Sequence, residues 1–385
     1  MVGAGLSGAA HGALAVLLVA LAGWAQAALH VVAPGQSLAR ALQMAADGDE
    51  IQLLAGVHRA QVGVIEQRRL TLRGVGGSVV LQADGAHAEG KAILVVRHGD
   101  VRIEGLEFRG ARVPDRNGAG IRLEQGRLHV VRCRFFDNEN GILTANFPAT
   151  ELIVQDSEFG LAPAQVALPH LLYVGRIARF TLTGSHFSGG ANGHLVKSRA
   201  RENHVRGNRL VDGVGGRAAY ELEFPNGGLA FVVGNVLGQS ADTSNHTVLA
   251  FGAEGSDGRP HALHVVNNTF INAARRPAVF VRVHEGKLGQ AVEQSLVNNL
   301  FVGPGFTDDL RALAGQGNHA AGPHELVDVA GGAFGLVRNS PLRGRGVVPG
   351  RAHQVELQPD VEFTPPVGTR GLTPRAVWSP GAHQD

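Results

Sequence analysis

Short apolar runs with period-2 alternation recur through the middle of the chain. Most close on a small polar residue, one further residue, and then Phe or Leu. The runs are Val101–Phe108 (VRIEGLEF), Leu128–Phe135 (LHVVRCRF), Leu152–Phe159 (LIVQDSEF), Phe180–Phe187 (FTLTGSHF), Val205–Leu210 (VRGNRL), Phe231–Leu237 (FVVGNVL), Leu263–Phe270 (LHVVNNTF) and Ser295–Phe301 (SLVNNLF). Alternation and β-branched content predict strands. The closing positions are 108, 135, 159, 187, 210, 237, 270 and 301, spaced 23 to 33 residues apart. A period of that size signals a stacked array. The polar positions Cys133, Ser157, Ser185, Asn208, Asn235, Asn268 and Asn299 would then lie one above another, and Asn amides can bond along such a stack.

Short strands joined by Gly-rich turns at this period predict an all-β right-handed parallel β-helix over residues 28–302, its coils about 4.8 Å apart. An open end of such a stack invites pairing. Leu38, Leu42 and Ala45 share one face of Ser37–Ala46, which predicts a capping helix. Residues 303–385 carry nine prolines and a broken apolar pattern, and are read as an irregular cover over the fold. Residues 1–27 read as a signal peptide, with an apolar run Ala13–Ala22 and a small-x-small site at Ala25–Ala27. The mature protein is expected in the periplasm or outside the cell, as a soluble monomer.

The opening Ser37-Leu38…Ala45-Ala46-Asp47-Gly48-Asp49-Glu50-Ile51…Gly56 resembles that of pectate-lyase-like β-helix proteins. Composition agrees: 54 of 385 residues are Gly, one is Cys, and the net charge is +2. That balance excludes a disulfide scaffold and a polybasic nucleic-acid binder. Only three of the 35 basic residues are Lys (Lys91, Lys197 and Lys287), and only Tyr173 and Tyr220 are Tyr.

Counting back 11 or 12 residues from the ladder puts Arg122, Asn146, Tyr173, Lys197 and Glu223 in one outward column, on the assumption of equal turn lengths. Alternation sends Arg199 and Arg201 outward too. In Ala218–Phe224 it places Tyr220, Leu222 and Phe224 inside, with Glu221 and Glu223 outside. A long outward groove suits a linear polymer, and the cations favour one bearing carboxylates or sulfates. β-Elimination of a uronate needs a group to neutralise the carboxylate, a base for the α-proton and an acid for the leaving oxygen. Lys197 is a candidate base, with Arg199 and Arg201 beside it, and Tyr173 is a candidate acid or base. His194 is a candidate acid. Arg122, Asn146, Arg199, Arg201, His170, Glu221 and Asn226 are candidate substrate contacts. His246, His261, His264 and His284 lack tight ligand spacing, so no metal and no cofactor is expected.

The stretch Lys197-Ser198…Glu202-Asn203-His204-Val205…Gly207-Asn208 resembles the catalytic rung of the parallel β-helix lyases that include chondroitinase B and alginate lyases. The resemblance implies that Lys197 is the base. That family carries Arg-His-Gly on the following rung, and here only Arg217 stands near that place. The family also carries an Asn and two Glu upstream for calcium, yet no acidic residue occurs between Glu158 and Glu202. The expected activity is therefore a carbon–oxygen lyase on an acidic polysaccharide, with no metal. Three readings compete with it. One is a glycoside hydrolase using Glu221, Glu223 or Asp212. Another is a uronate epimerase. The third is a polysaccharide-binding or envelope-assembly protein.

Overall fold

In the computed structural model, residues 27–307, 316–373 and 375–384 are described, together with Met1 and Gly3. The signal peptide read at 1–27 falls almost wholly outside them. Among the described residues no helix is long and apolar enough to cross a membrane.

Each coil is three short strands, as in Ala119–Leu123, Arg127–Val131 and Arg134–Phe136. The first strands of successive coils pair in parallel into a 10-stranded sheet. The second and third strands form a 20-stranded sheet that folds round the other faces. The reason for the bend between second and third strands is local. The residue before each ladder position has positive φ: Arg132, Asp156, Gly184, Gly207, Gly234, Asn267 and Asn298. Gly, Asn and Asp tolerate that region best, which explains the Gly-Asn and Asn-Asn pairs in the sequence.

The ladder forms as the spacing predicts. Asn208 Nδ2 donates to Asn235 Oδ1 at 2.9 Å, Asn235 to Asn268 at 3.0 Å, Asn268 to Asn299 at 3.1 Å, and Asn299 to Asn318 at 2.9 Å. In the N-terminal half the links are to backbone alone: Ser157 Oγ accepts from Cys133 N at 3.1 Å and Ser185 Oγ from Ser157 N at 3.2 Å. Burial pushes the Cys133 thiol up to about 12, so it is an inert part of the core. Two residues past the ladder, Phe108, Phe135, Phe159 and Phe187 stack face to face, with centroids 5.0, 4.6 and 4.4 Å apart.

The capping helix spans Leu38–Met44, with Ser37 Oγ accepting from Arg40 N and Leu38 and Leu42 buried. Asp49 ties the cap to the first coil by accepting from Ala28 N and Ala46 N, both at 2.8 Å. Its bond to His30 and these backbone donors hold its carboxyl at about 2. Among the described residues downstream of the coils lie three short antiparallel hairpins, such as Leu326–Asp328 with Ala333–Leu336. Leu326, Phe334 and Leu336 pack against Val236, Ile271 and Leu300 of the coils.

Candidate active site on the outer face of the solenoid

The first strand of each coil faces one residue column outward. The paired positions are Arg122, Leu143, Tyr173, Lys197, Glu223, Ala250 and Arg282. Tyr173, Lys197 and Glu223 thus stand on three consecutive coils, as counted from the ladder. Asn146 does not join them. The connection after Asn140–Thr144 is three residues longer than its neighbour, so Leu143 takes the place. Asn146 Oδ1 instead accepts from Arg176 N at 2.8 Å.

A second correction concerns Tyr220 and Glu221. Leu222 pairs with Val196 inside the core, and Glu221, standing opposite Leu195, is also inside, 1% exposed. Two successive residues face inward, so alternation breaks and Tyr220 turns out to stack on His194, 4.9 Å between centroids. Neither carboxylate oxygen of Glu221 has a hydrogen-bond partner, and burial with the nearby Asp212 charge pushes its carboxyl well up. It is not a substrate contact. Arg122 lies two coils away from Tyr173 and sits 3.3 Å from Glu124. Arg201 is exposed, beside the site without joining its bonds.

Around Lys197 the side chains converge. Its ammonium lies 2.7 Å from Glu254 Oε1 and 3.1 Å from Glu223 Oε2. Glu223 Oε2 also lies 2.9 Å from His194 Nε2. Arg199 fans its guanidinium over three partners: Tyr173 Oη at 2.7 Å, Asn226 Oδ1 at 2.6 Å and Glu254 Oε2 at 2.6 Å. Asn226 is oriented by donating to Gly255 O at 3.0 Å. His170 Nδ1 accepts from His194 N at 3.1 Å.

The electrostatics follow from partial burial. Burial pushes the Glu223 carboxyl up, but the bond to His194 and the charges of His194 and Lys197 outweigh it and hold it below its ordinary range. Lys197 and Arg199 do the same for Glu254. Desolvation works against the Arg199 charge, yet its bonds to Tyr173 and Glu254 raise it further. Burial, then the neighbouring His194, Lys197 and Arg199, drives His170 well below the usual imidazole value. Burial also lowers His194, against the pull of Glu223.

Glu254 lies outside the column counted from the ladder, in a turn. It arrives on the loop after Thr247–Phe251, which folds back toward the N-terminal coils. Arg259 pins that loop by donating to Arg199 O at 2.9 Å and Ala200 O at 3.0 Å. Lys287 holds Ala253 O at 2.9 Å. Glu254 stays 43% exposed where Lys197 is 10% and Arg199 13%, so its carboxylate is the outermost group of the cluster.

The calcium implied by the lyase resemblance does not fit here. The rung upstream of Lys197 presents His170 and Tyr173 on this face. Calcium takes hard oxygen ligands, mostly carboxylates and carbonyls. The two carboxylates present are engaged by cations.

A cleft of about 610 Å³ opens along the N-terminal edge of the same sheet, lined by Arg217, His246, Arg275 and Arg276 among others. It carries the cationic character of the face past the Lys197 cluster.

No protein-family profile matches the chain, and no curated protein sequence does. Among solved structures it is similar to pectate lyase Pel9A, with a TM-score of 0.57 and 12% identity over 92% of this chain and 96% of that one. The likeness extends over nearly the whole of both chains, and what the two share is the fold: a pectate-lyase-like right-handed parallel β-helix.

Proposed function

We propose that this protein is an exported polysaccharide lyase that cleaves an acidic, uronate-containing glycan by β-elimination. The observation that carries the proposal is the bridging carboxylate of Glu254. One oxygen meets Lys197 and the other meets Arg199, the geometry in which two cations would hold the carboxylate of a uronate sugar.

In this reading the substrate carboxylate displaces Glu254 and lies against Lys197 and Arg199. Drawing charge out of the carboxylate acidifies the proton on the adjacent carbon, C5. Tyr173 enters the step as its phenolate, the oxygen held by the Arg199 guanidinium, and takes that proton to become the phenol. The C5–H electrons form the C4–C5 double bond, the C4–O bond breaks, and the leaving oxygen takes a proton from Tyr173. Lys197 is held between Glu223 and Glu254 and meets the carboxylate position itself, so its place suits the charge stabiliser better than the base the family resemblance implies. Glu223 and His194 position Lys197 from behind, and Asn226 aims Arg199.

A hydrolase has one specific observation in its favour: Glu223 and Glu254 flank the same ammonium. The pair would act as acid and base across a glycosidic bond. The deciding experiment incubates the mature protein with a panel of acidic polysaccharides and follows both the ultraviolet absorbance of unsaturated uronate ends and the appearance of reducing ends. Both signals rising together support the lyase. Reducing ends without the ultraviolet signal support the hydrolase and overturn the lyase.

A further inference from the structure

Away from this face, the C-terminal segment brings a second cluster together on the 20-stranded sheet. His264 belongs to Ala262–Val266 and Glu293 to the neighbouring Glu293–Val297, where His264 pairs with Ser295. His353 comes from the turn of the hairpin Arg351–Ala352 and Val355–Glu356. Their ligand atoms all lie within 4.8 Å of one another. Glu293 Oε2 is 3.0 Å from His353 Nε2, and Glu293 Oε1 is 3.9 Å from His264 Nε2.

Three details favour a bound cation over a chance meeting. His264 is 0% exposed, and its Nε2 has no hydrogen-bond partner. A buried nitrogen left in that state is costly, so it wants a ligand. Its Nδ1 lies 3.0 Å from Ser295 Oγ, the type of outer contact that fixes the ring and directs the other nitrogen at a metal. Finally, His353 and Gln354 both have positive φ, 46° and 65°. Asn-Gly is the usual pair for such a two-residue turn, and His is among the side chains that accept it, so the turn holds the imidazole at the tip of the hairpin. Phe231 forms a dry floor, stacked on His264 at 5.2 Å and edge-on to His353 at 6.4 Å.

We propose that His264, Glu293 and His353 form a binding site for a borderline divalent cation of the zinc class, which fastens the C-terminal hairpin to the solenoid. Two imidazoles and one carboxylate suit zinc and its neighbours, and are poor for calcium or magnesium, which prefer oxygen. Bonds of about 2.0–2.2 Å to each ligand need only a small contraction of the cluster. Exposure of Glu293 and His353 leaves a fourth position for water. The inference departs from the expectation of no metal, which rested on local histidine spacing. His353 lies too far along the chain for spacing to reveal it.

The test uses the whole mature chain, stripped with a chelator and titrated calorimetrically with zinc ion alone. Wild type is expected to bind one equivalent tightly, and excess calcium or magnesium is expected not to compete. His353→Ala and Glu293→Gln, both surface changes, are expected to lose that equivalent while melting as the metal-free wild type does. Zinc is also expected to slow proteolysis at the 351–356 hairpin in wild type and not in His353→Ala. Absence of tight binding by wild type overturns the proposal. So does equal binding by wild type and His353→Ala, which would assign the zinc to other histidines.

Discussion

Arg199 Nε donates to the Tyr173 hydroxyl at 2.7 Å across one coil boundary. The same guanidinium reaches Asn226 and Glu254 on later coils. One side chain therefore sets the phenol, the amide and the loop carboxylate in a single arrangement, which only a planar five-donor fork can do. Arg199→Lys keeps the charge and loses the fork. Its kcat is expected to fall about 10²–10³-fold. Tyr173→Phe is expected to lose about 10²–10⁴-fold, with unchanged thermal melting. Initial rates on a cleaved acidic glycan check both, and activity retained in Tyr173→Phe would remove the phenol from the reaction.

Glu254 separates the two enzymatic readings. If it stands in for a substrate carboxylate, Glu254→Gln weakens an internal competitor, and KM is expected to drop severalfold while kcat holds. If it is half of a hydrolytic pair, the same variant loses about 10²-fold or more in kcat. Steady-state kinetics on one substrate distinguish the two outcomes.

Glu221 bears on stability, not on catalysis. Its carboxyl stays protonated in the fold well above its ordinary value of 4.5, because burial and Asp212 oppose ionisation. The unfolded chain releases that proton as pH rises past 4.5, while the folded protein keeps it. Stability is thus highest below 4.5 and is lost with rising pH, by roughly 1 kcal/mol per pH unit until the folded group titrates. Glu221→Gln is expected to match wild type in acid and overtake it toward neutrality. Urea unfolding at a series of pH values measures the crossing. Parallel curves would show that the carboxyl ionises in place.

Asn235 is the middle of the amide ladder. Asn235→Ala takes the acceptor from the buried Asn208 backbone N–H and opens a void, a cost of about 3 kcal/mol. A matching Ser157→Ala breaks only links to backbone and is expected to cost about 1 kcal/mol. Chemical denaturation midpoints of the two variants give the comparison.

The solenoid was legible because its repeat is written twice, in the Phe or Leu row and in the ladder row two residues before it. Register carried from that ladder brought Tyr173, Lys197 and Glu223 together. It failed at Asn146, where the loop around Phe147 and Pro148 is longer, and alternation failed at Tyr220 and Glu221, because Glu221 and Leu222 are neighbours that share the core. No count along the strands could find Glu254. Its place depends on Arg259 folding a loop back over the Arg199 backbone, a contact between coils that leaves no period. His353 escaped for the same reason, since a tail segment docks wherever its surface fits.

The ladder changes character along the axis, from single backbone links at Cys133 and Ser157 to side-chain amides that each touch the next from Asn208 onward. In a stack held by nearest-neighbour coupling, that makes cohesion uneven. Pulled from its two ends, the molecule would part first among the N-terminal coils, where aromatic rings slide over one another. The coils from Lys197 onward, carrying Lys197, Arg199, Glu223 and Glu254 with Tyr173 on the coil just before them, would come away as one block. The candidate site stands where the more tightly laced part of the rod begins.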